Sequence, residues 1–315
     1  MTPHDILLQI GQVLTVLLLS PLIQGVIVKL EERVQRARGP SVFQPYRDLW
    51  KLFHKHIVVP DTASAIHWTA PIVAFTCMLT VPIVIPVLTD FPLPYSDMGD
   101  LLGGGLILTL GSFMILLAGL DSGGAYGGIG SSRAVMLTIL AEPTLILVFI
   151  GISLLAKSML PFVVNHLLVG STAVYFSPAH LFLVAAFFVL LLVETDRLPI
   201  HSNTHVEVYM IEEARVLEYS GPLLGLLKWA SMMKQFILYT IFCNVLTLPW
   251  GLSHQGTAFG ALGAAAGLIA KFVLVACAVV LVETVQSRLR FYRYQEPLAA
   301  SFLLAVLAII GTQLG

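Results

Sequence analysis

The chain reads as an all-α integral membrane protein of about eight transmembrane helices with amphipathic surface helices on its cytoplasmic side, and three observations predict it. Of 315 residues, 57% are apolar and 11% charged, against roughly 45–50% and 25% in an average soluble domain. The charges are segregated, so that short polar segments hold most of the Lys, Arg, Asp and Glu while long apolar stretches separate them. Those stretches run to about 20 residues, the length a helix needs to cross the hydrocarbon layer.

Windows of that length fall near 6–28, 66–89, 101–120, 134–156, 178–195, 231–251, 262–284 and 297–314, and residues 1–315 form one membrane domain. The first stretch lacks the basic n-region of a secretory signal and is too long for one, so it reads as a retained span. An even count puts both termini on one side. The loop 29–65 holds Lys29, Arg33, Arg36, Arg38, Arg47, Lys51 and Lys55, and the excess of basic residues in cytoplasmic loops places it in the cytoplasm. Loops 121–133, 196–230 and 285–296 then share that side. They add Arg133, then Arg197, Arg215 and Lys228, then Arg288, Arg290 and Arg293. The opposite side receives the base Lys157 and the acids Asp90, Asp97 and Asp100. Both termini are therefore expected outside the cytoplasm.

Composition also excludes some functions. A net charge of −1 lacks the basic footprint that nucleic acid requires. Cys77, Cys243 and Cys277 are scattered through apolar stretches, without the clustered spacing of zinc or iron–sulfur ligands, and read as small packing residues. No internal repeat relates the two halves, which disfavours an autonomous carrier.

An ionisable group at the centre of a membrane helix costs roughly 2.5–3.5 kcal/mol, so each one asks for a partner or a hydrated route. Glu142 lies in the fourth stretch beside Pro143, and Lys271 lies near the middle of the seventh. Proline frees a backbone carbonyl and can open a polar gap. Glu194, Lys234 and Glu283 occupy the cytoplasmic thirds of the fifth, sixth and seventh stretches, where they would continue a polar route inward or pair between helices.

The loop after Asp196 carries Glu207, Glu212, Glu213 and Glu218. Thr204 followed by Glu207 is a capping-box pattern, so a helix is expected from near Thr204 to before Gly221–Pro222. On it Glu207 and Glu218 share a face with Ile211 and Ala214, and Arg215 can pair with Glu212 or Glu218 across one turn. Cytoplasmic loops are usually basic, and this one is acidic. Like charges in one loop favour proton uptake near neutral pH. Residues 43–56 mix aromatic and apolar side chains with Arg47, Asp48, Lys51 and Lys55, as in a helix lying at the membrane surface.

Four segments carry a resemblance that covers most of the chain. They are RARGPSVFQPYRDLWKLFHK at 36–55, LDSGGAYGGIGSSRAVMLTILAEP at 120–143, ETDRLP followed by THVEVYMIEEARVLEYSG within 194–221, and VETVQSRLRFYRYQEP at 282–297. Together they resemble subunit 1 of respiratory complex I and its homologue in hydrogenase-4 and formate hydrogenlyase-type complexes. Pro199 is followed by Ile200-His201, where complex I members carry Phe-Asp, and the segment around Arg290 and Arg293 departs as well; both features look closer to the hydrogenase-type branch.

The resemblance implies a connector in a prokaryotic cytoplasmic membrane. It would dock a hydrogenase-like large subunit and an iron–sulfur small subunit onto antiporter-like membrane subunits. Nickel–iron and iron–sulfur centres would belong to those partners, with no cofactor or metal held by this chain and no catalytic residue in it. A quinone site is the alternative implication. Glu142, Glu194, Glu207, Glu212, Glu213, Glu218, Lys234, Lys271 and Glu283 become the expected proton path. Arg36, Arg38, Arg47, Lys51, Arg133, Arg197 and Arg215 become the expected docking residues for the peripheral arm.

Overall fold

A helix lies over each of the eight apolar stretches in the computed structural model, which describes residues 3–34, 36, 39–96, 99–195, 197, 213–253, 258–285 and 295–314. Backbone amides facing hydrocarbon have no water to bond, so the helix satisfies them internally. The elements are α1 (Pro3–Val34), α2 (Gln44–Phe53), α3 (Ile66–Val84), α4 (Leu101–Asp121), α5 (Ala125–Ala156), α6 (Pro161–Gly170), α7 (Thr172–Tyr175), α8 (Pro178–Glu194), α9 (Gly221–Thr240), α10 (Ala258–Val285) and α11 (Gln295–Leu314). Among the described residues no strand forms, and one isolated parallel β-bridge joins Thr89 and Ser253.

Helices α1, α3, α4, α5, α10 and α11 are long and apolar enough to cross a membrane. Helix α8 is apolar but has 17 residues. Helix α9 carries Lys228 and Lys234 and runs on into a π-helical turn, Ile241–Thr247. The chain is a multi-pass membrane protein. Large apolar side chains such as Leu18, Phe113, Ile139, Leu262, Leu274 and Leu303 stay exposed on the outer surface of the bundle, as side chains facing lipid do.

Several boundaries differ from the sequence expectation. Helix α5 begins at Ala125, so most of the expected loop 121–133 is helical. Its glycines are poor helix formers, but Gly127 faces the Gly119 carbonyl so closely that a Cβ would lie 2.4 Å from it; close packing on α4 outweighs propensity. Helix α9 starts at Gly221 with Pro222 at its first turn, which absorbs the last part of the expected loop 196–230. Helix α3 ends at Val84 because Pro86 forces Ile85 into extended backbone. Of the helix expected from Thr204, residues 204–212 lie outside the described residues, and 213–215 are helical.

The helices pack as α3 on α4, α11 on α8 and α5, α9 on α3 and α1, and α10 on α1. Lipid is as apolar as leucine, so small residues and shape complementarity hold such bundles together. Gly105 on α4 sits against the Phe149 ring and Gly111 against Met78, so a Cβ at either would come within 2.6 and 2.5 Å of those side chains. The core is aromatic at its centre: Phe187 stacks on Phe149 and on Phe242, each at 6.1 Å, and Phe236 meets Phe272 edge-on at 4.7 Å.

Candidate functional site

Between them, α4, α5, α8 and α9 leave a small polar cleft. Leu108, Thr109, Ser112, Thr138, Glu142, Leu145, Glu194, Lys234 and Leu238 line it, and its volume of about 10 Å³ is on the scale of one water molecule. Glu142 reaches it from α5, immediately before Pro143. The missing amide of Pro143 leaves the Ile139 carbonyl without its helical partner. Thr138 and Ser112 donate their hydroxyls to carbonyls of their own helices, Ala134 and Leu108, which turns their acceptor oxygens toward the cleft. Glu194, the last residue of α8, pairs with Lys234 of α9 at 2.6 Å. Two carboxylates and one ammonium thus line the same cleft, and the trio is neutral when it holds one added proton.

A second polar group lies just past the end of α8. Arg197 is tied to the helix by its backbone N–H, which donates to the Leu192 carbonyl at 2.7 Å. Its guanidinium contacts Glu31 of α1 and lies 3.9 Å from Glu283 of α10. Arg197, one of the expected docking residues, has a side chain 13% exposed in this chain, because two carboxylates at the helix ends draw the guanidinium inward. Glu31 was missed because it stands at the head of a run of arginines and reads there as a surface residue.

The expected path residue Lys271 does not join either group. It lies 12 residues before Glu283 on α10, roughly 18 Å along the axis. Its amine donates to the Asn244 Oδ1 at 2.8 Å and to the Leu248 carbonyl at 2.7 Å. A π-helical turn frees backbone carbonyls, and Lys271 serves them. Asn244 in turn donates to the Pro86 and Val87 carbonyls, and Asn165 donates to Asn244 and Pro249.

Toward the end that carries α2, three segments meet. Ser64 donates to Asp121, Thr62 donates to the Ser122 carbonyl at 2.7 Å, and the Val58 amide donates to the Ser220 hydroxyl at 2.7 Å. His67 stacks flat on Tyr219 with ring centroids 4.1 Å apart. Burial and the neighbouring Asp121 push the Tyr219 phenol above its ordinary value. Gly221 has φ +58, and a Cβ there would lie 2.8 Å from the His56 carbonyl, so only glycine fits where this rim turns into α9. Neither ring of the stack was singled out from the sequence; an isolated histidine and tyrosine carry no spacing signal.

The remaining expected residues divide between those the structure describes and those it does not. Glu213 pairs with Lys228 at 3.5 Å, both about two-fifths exposed, and Glu218 lies against Gly124. Arg36 and Arg47 are exposed, as is Lys51, which pairs with Asp48 at 3.8 Å. Arg133 and Arg215 are half-buried. Arg38, Glu207 and Glu212 lie outside the described residues. Helix α2 lies along the bundle against α1 and α9, with Leu49 buried and Trp50 69% exposed.

Comparison with known proteins agrees with the expected family. The family model described as NADH dehydrogenase matches residues 8–312. Formate hydrogenlyase subunit 4 of Escherichia coli (strain K12) is 30% identical over 315 residues, covering 98% of both chains. Hydrogenase-4 component C of the same organism is 29% identical over 306 residues, covering 96% of this chain and 94% of that protein. The fold is that of a chain in the membrane-bound sulfane sulfur reductase, an archaeal respiratory membrane complex, with a TM-score of 0.76 at 20% identity over 97% of this chain and 98% of that one. From its match over nearly the whole length, the chain belongs to the NADH dehydrogenase family, the family of complex I subunit 1.

Proposed function

We propose that the chain is the membrane connector of a redox-driven ion-pumping complex of the hydrogenase-4 and complex I type. On this reading it lies in a prokaryotic cytoplasmic membrane with both termini outside. The end bearing α2 and the acidic segment receives a hydrogenase-like large subunit and an iron–sulfur small subunit, which carry the redox centres. Antiporter-like subunits take up the ion that this chain passes on.

One observation carries the reading: Glu142, Glu194 and Lys234, half-buried residues from three helices, face one cleft. Burying three ionisable groups together is costly, and a cleft that gains stability from one proton is suited to passing it. Electron transfer in the peripheral arm changes the field at the acidic segment containing Glu213 and Glu218, and the carboxylates answer by exchanging protons with the cleft.

A second reading, a passive anchor, is favoured by the same Lys234–Glu194 contact taken as helix-to-helix glue. The two separate in the intact complex reconstituted in liposomes. Glu142→Gln is expected to abolish ion pumping while dye-linked electron transfer continues. Normal pumping would overturn the connector reading; loss of assembly with normal coupling in the complexes that form would favour the anchor.

A further inference from the structure

Side chains from four other elements hold the far end of α9. A helix leaves its last carbonyls without backbone donors, and here the chain runs from the π-helical turn Ile241–Thr247 to Pro249, which has no N–H to give. Asn165 of α6 donates to the Asn244 and Pro249 carbonyls, the Tyr175 hydroxyl of α7 to the Thr247 carbonyl at 2.7 Å, and Lys271 of α10 to the Leu248 carbonyl. His180, in the first turn of α8, serves the Leu246 carbonyl. Its Nε2 lies 3.0 Å from that oxygen, and its Nδ1 lies 2.8 Å from the Tyr175 carbonyl. The residue is 1% exposed, so bulk water replaces neither partner.

Both ring nitrogens therefore face acceptors. A neutral imidazole has one N–H and one lone pair, whereas an imidazolium has two N–H donors. Only the protonated ring satisfies both contacts; in the neutral ring a lone pair opposes a carbonyl oxygen. We propose that His180 is a proton-binding site at the end of the bundle opposite α2, and that its proton closes a clamp of α7 and α8 on the π-helical turn. Chain direction gives the placement, since α8 runs from His180 to Glu194 and on to Arg197, which meets Glu31 at the end of α1 that leads to α2. His180 stands 14 residues before Glu194, roughly 21 Å along the axis. It is separate from the Glu142 cleft and does not depend on the connector reading.

Helix α8 packs against α5, α7, α9 with its π-helical turn, and α11. Glu142 and Lys234 share the cleft of Glu194, and Arg133 and Lys228 lie nearer still to the α2 end of their helices. Ser301 donates to the Ala186 carbonyl and Gly311 lies against Ala179, which sets Glu296 toward the Glu194 level as well. At the His180 end the titratable groups are Tyr175, ring to ring at 5.3 Å, Cys243 of the π-helical turn, Lys271, and the exposed Lys157 just past α5. Asp90 and Asp100 belong to the loop before α4, where Asp100 caps that helix. Among the described residues no carboxylate pairs with the ring, so carbonyl dipoles alone hold the proton and it exchanges with the medium. Thr172, Ala173, Phe176 and Pro178 are exposed, which leaves the ring one layer beneath the surface. The neutral ring keeps the Tyr175 carbonyl, five residues away in its own segment, and gives up the Leu246 carbonyl of another helix. That oxygen is then buried without a donor, a costly state, and Tyr175 is left to hold the turn at Thr247. The clamp is closed in acid and loosens as pH rises through the titration of the ring.

The test is hydrogen–deuterium exchange of the intact complex in lipid nanodiscs, corrected for the chemical pH dependence of amide exchange, at about pH 5 and about pH 8, either side of the ordinary imidazole value of about 6.5. Protection of peptides spanning 241–253 is expected to fall about tenfold from the acid to the alkaline condition, the loss of one charge-assisted hydrogen bond. His180→Gln, whose amide does not titrate, should give one value at both, and His180→Phe should be poorly protected at both. Glu142→Gln should keep the parental response, since the two sites are separate. Equal protection of the parent at the two pH values, or a parental response in His180→Gln, overturns the site. The parent's own response requires no variant and decides the matter if both His180 variants fail to assemble.

Discussion

The Lys234 amine and the Glu194 carboxylate meet at 2.6 Å across the interface of α9 and α8, and Glu142 faces the same cleft from α5. That contact commits the Lys234 ammonium to Glu194, and among the described residues Glu142 has no ion pair of its own.

The pair is sharply asymmetric in its energetics. Removing one partner of a buried pair costs about 3–5 kcal/mol, whereas replacing both with apolar residues of similar volume is close to neutral. Lys234→Met is therefore expected to destabilise the solubilised protein by about that amount. Lys234→Met combined with Glu194→Leu should recover most of the loss in thermal unfolding, while pumping stays absent.

Lys271 should behave differently. Its amine serves the π-helical turn through Asn244 and Leu248, and losing a charged hydrogen bond costs about 1.5–3 kcal/mol. Lys271→Met is expected to lower stability by that order while leaving the pH profile of pumping in its parental place. A displaced profile would return Lys271 to the proton path.

The rim at Tyr219 predicts a response to alkali. The folded state holds the phenolic proton more tightly than the unfolded chain does, because burial and Asp121 disfavour the charged form. That contribution is fully present below the ordinary phenol value of about 10 and is lost as pH rises through the raised one. Tyr219→Phe keeps the ring on His67 and removes the titration. Its complex should keep the peripheral arm at pH values where the parent releases it, as followed by sedimentation of the complex.

Gly221→Ala tests how the rim is built. An alanine at φ +58 is strained by about 1–2 kcal/mol, and its Cβ would press on the His56 carbonyl. Lower occupancy of the peripheral arm, measured by quantitative mass spectrometry of the purified complex, is the expected result.

Hydropathy carried most of this fold, since a helix crossing lipid must be both long and apolar, and α1, α3, α4, α5, α10 and α11 satisfy both conditions. Helix starts were less legible, because Gly127 and Gly221 favour loops locally and are selected by close packing. In the site, Glu142, Glu194, Lys234 and Glu283 stood out because ionisable groups are costly in hydrocarbon. Glu31 did not, since its arginine neighbours suggest a solvated end. The contacts of Arg197 are illegible for the same reason, since the inward pull of two carboxylates from distant parts of the chain has no local sequence signal. The bonds of Lys271 to Asn244 and Leu248 are equally illegible, because the π-helical turn beside it has no signal in the sequence.

The central claim is that Glu142 gains and loses a proton as electrons pass. Redox-induced infrared difference spectroscopy of the intact complex observes that event directly. A carboxylic C=O difference band that is present in the parent and absent in Glu142→Gln is the predicted result. The same band, undiminished in Glu142→Gln, would contradict it.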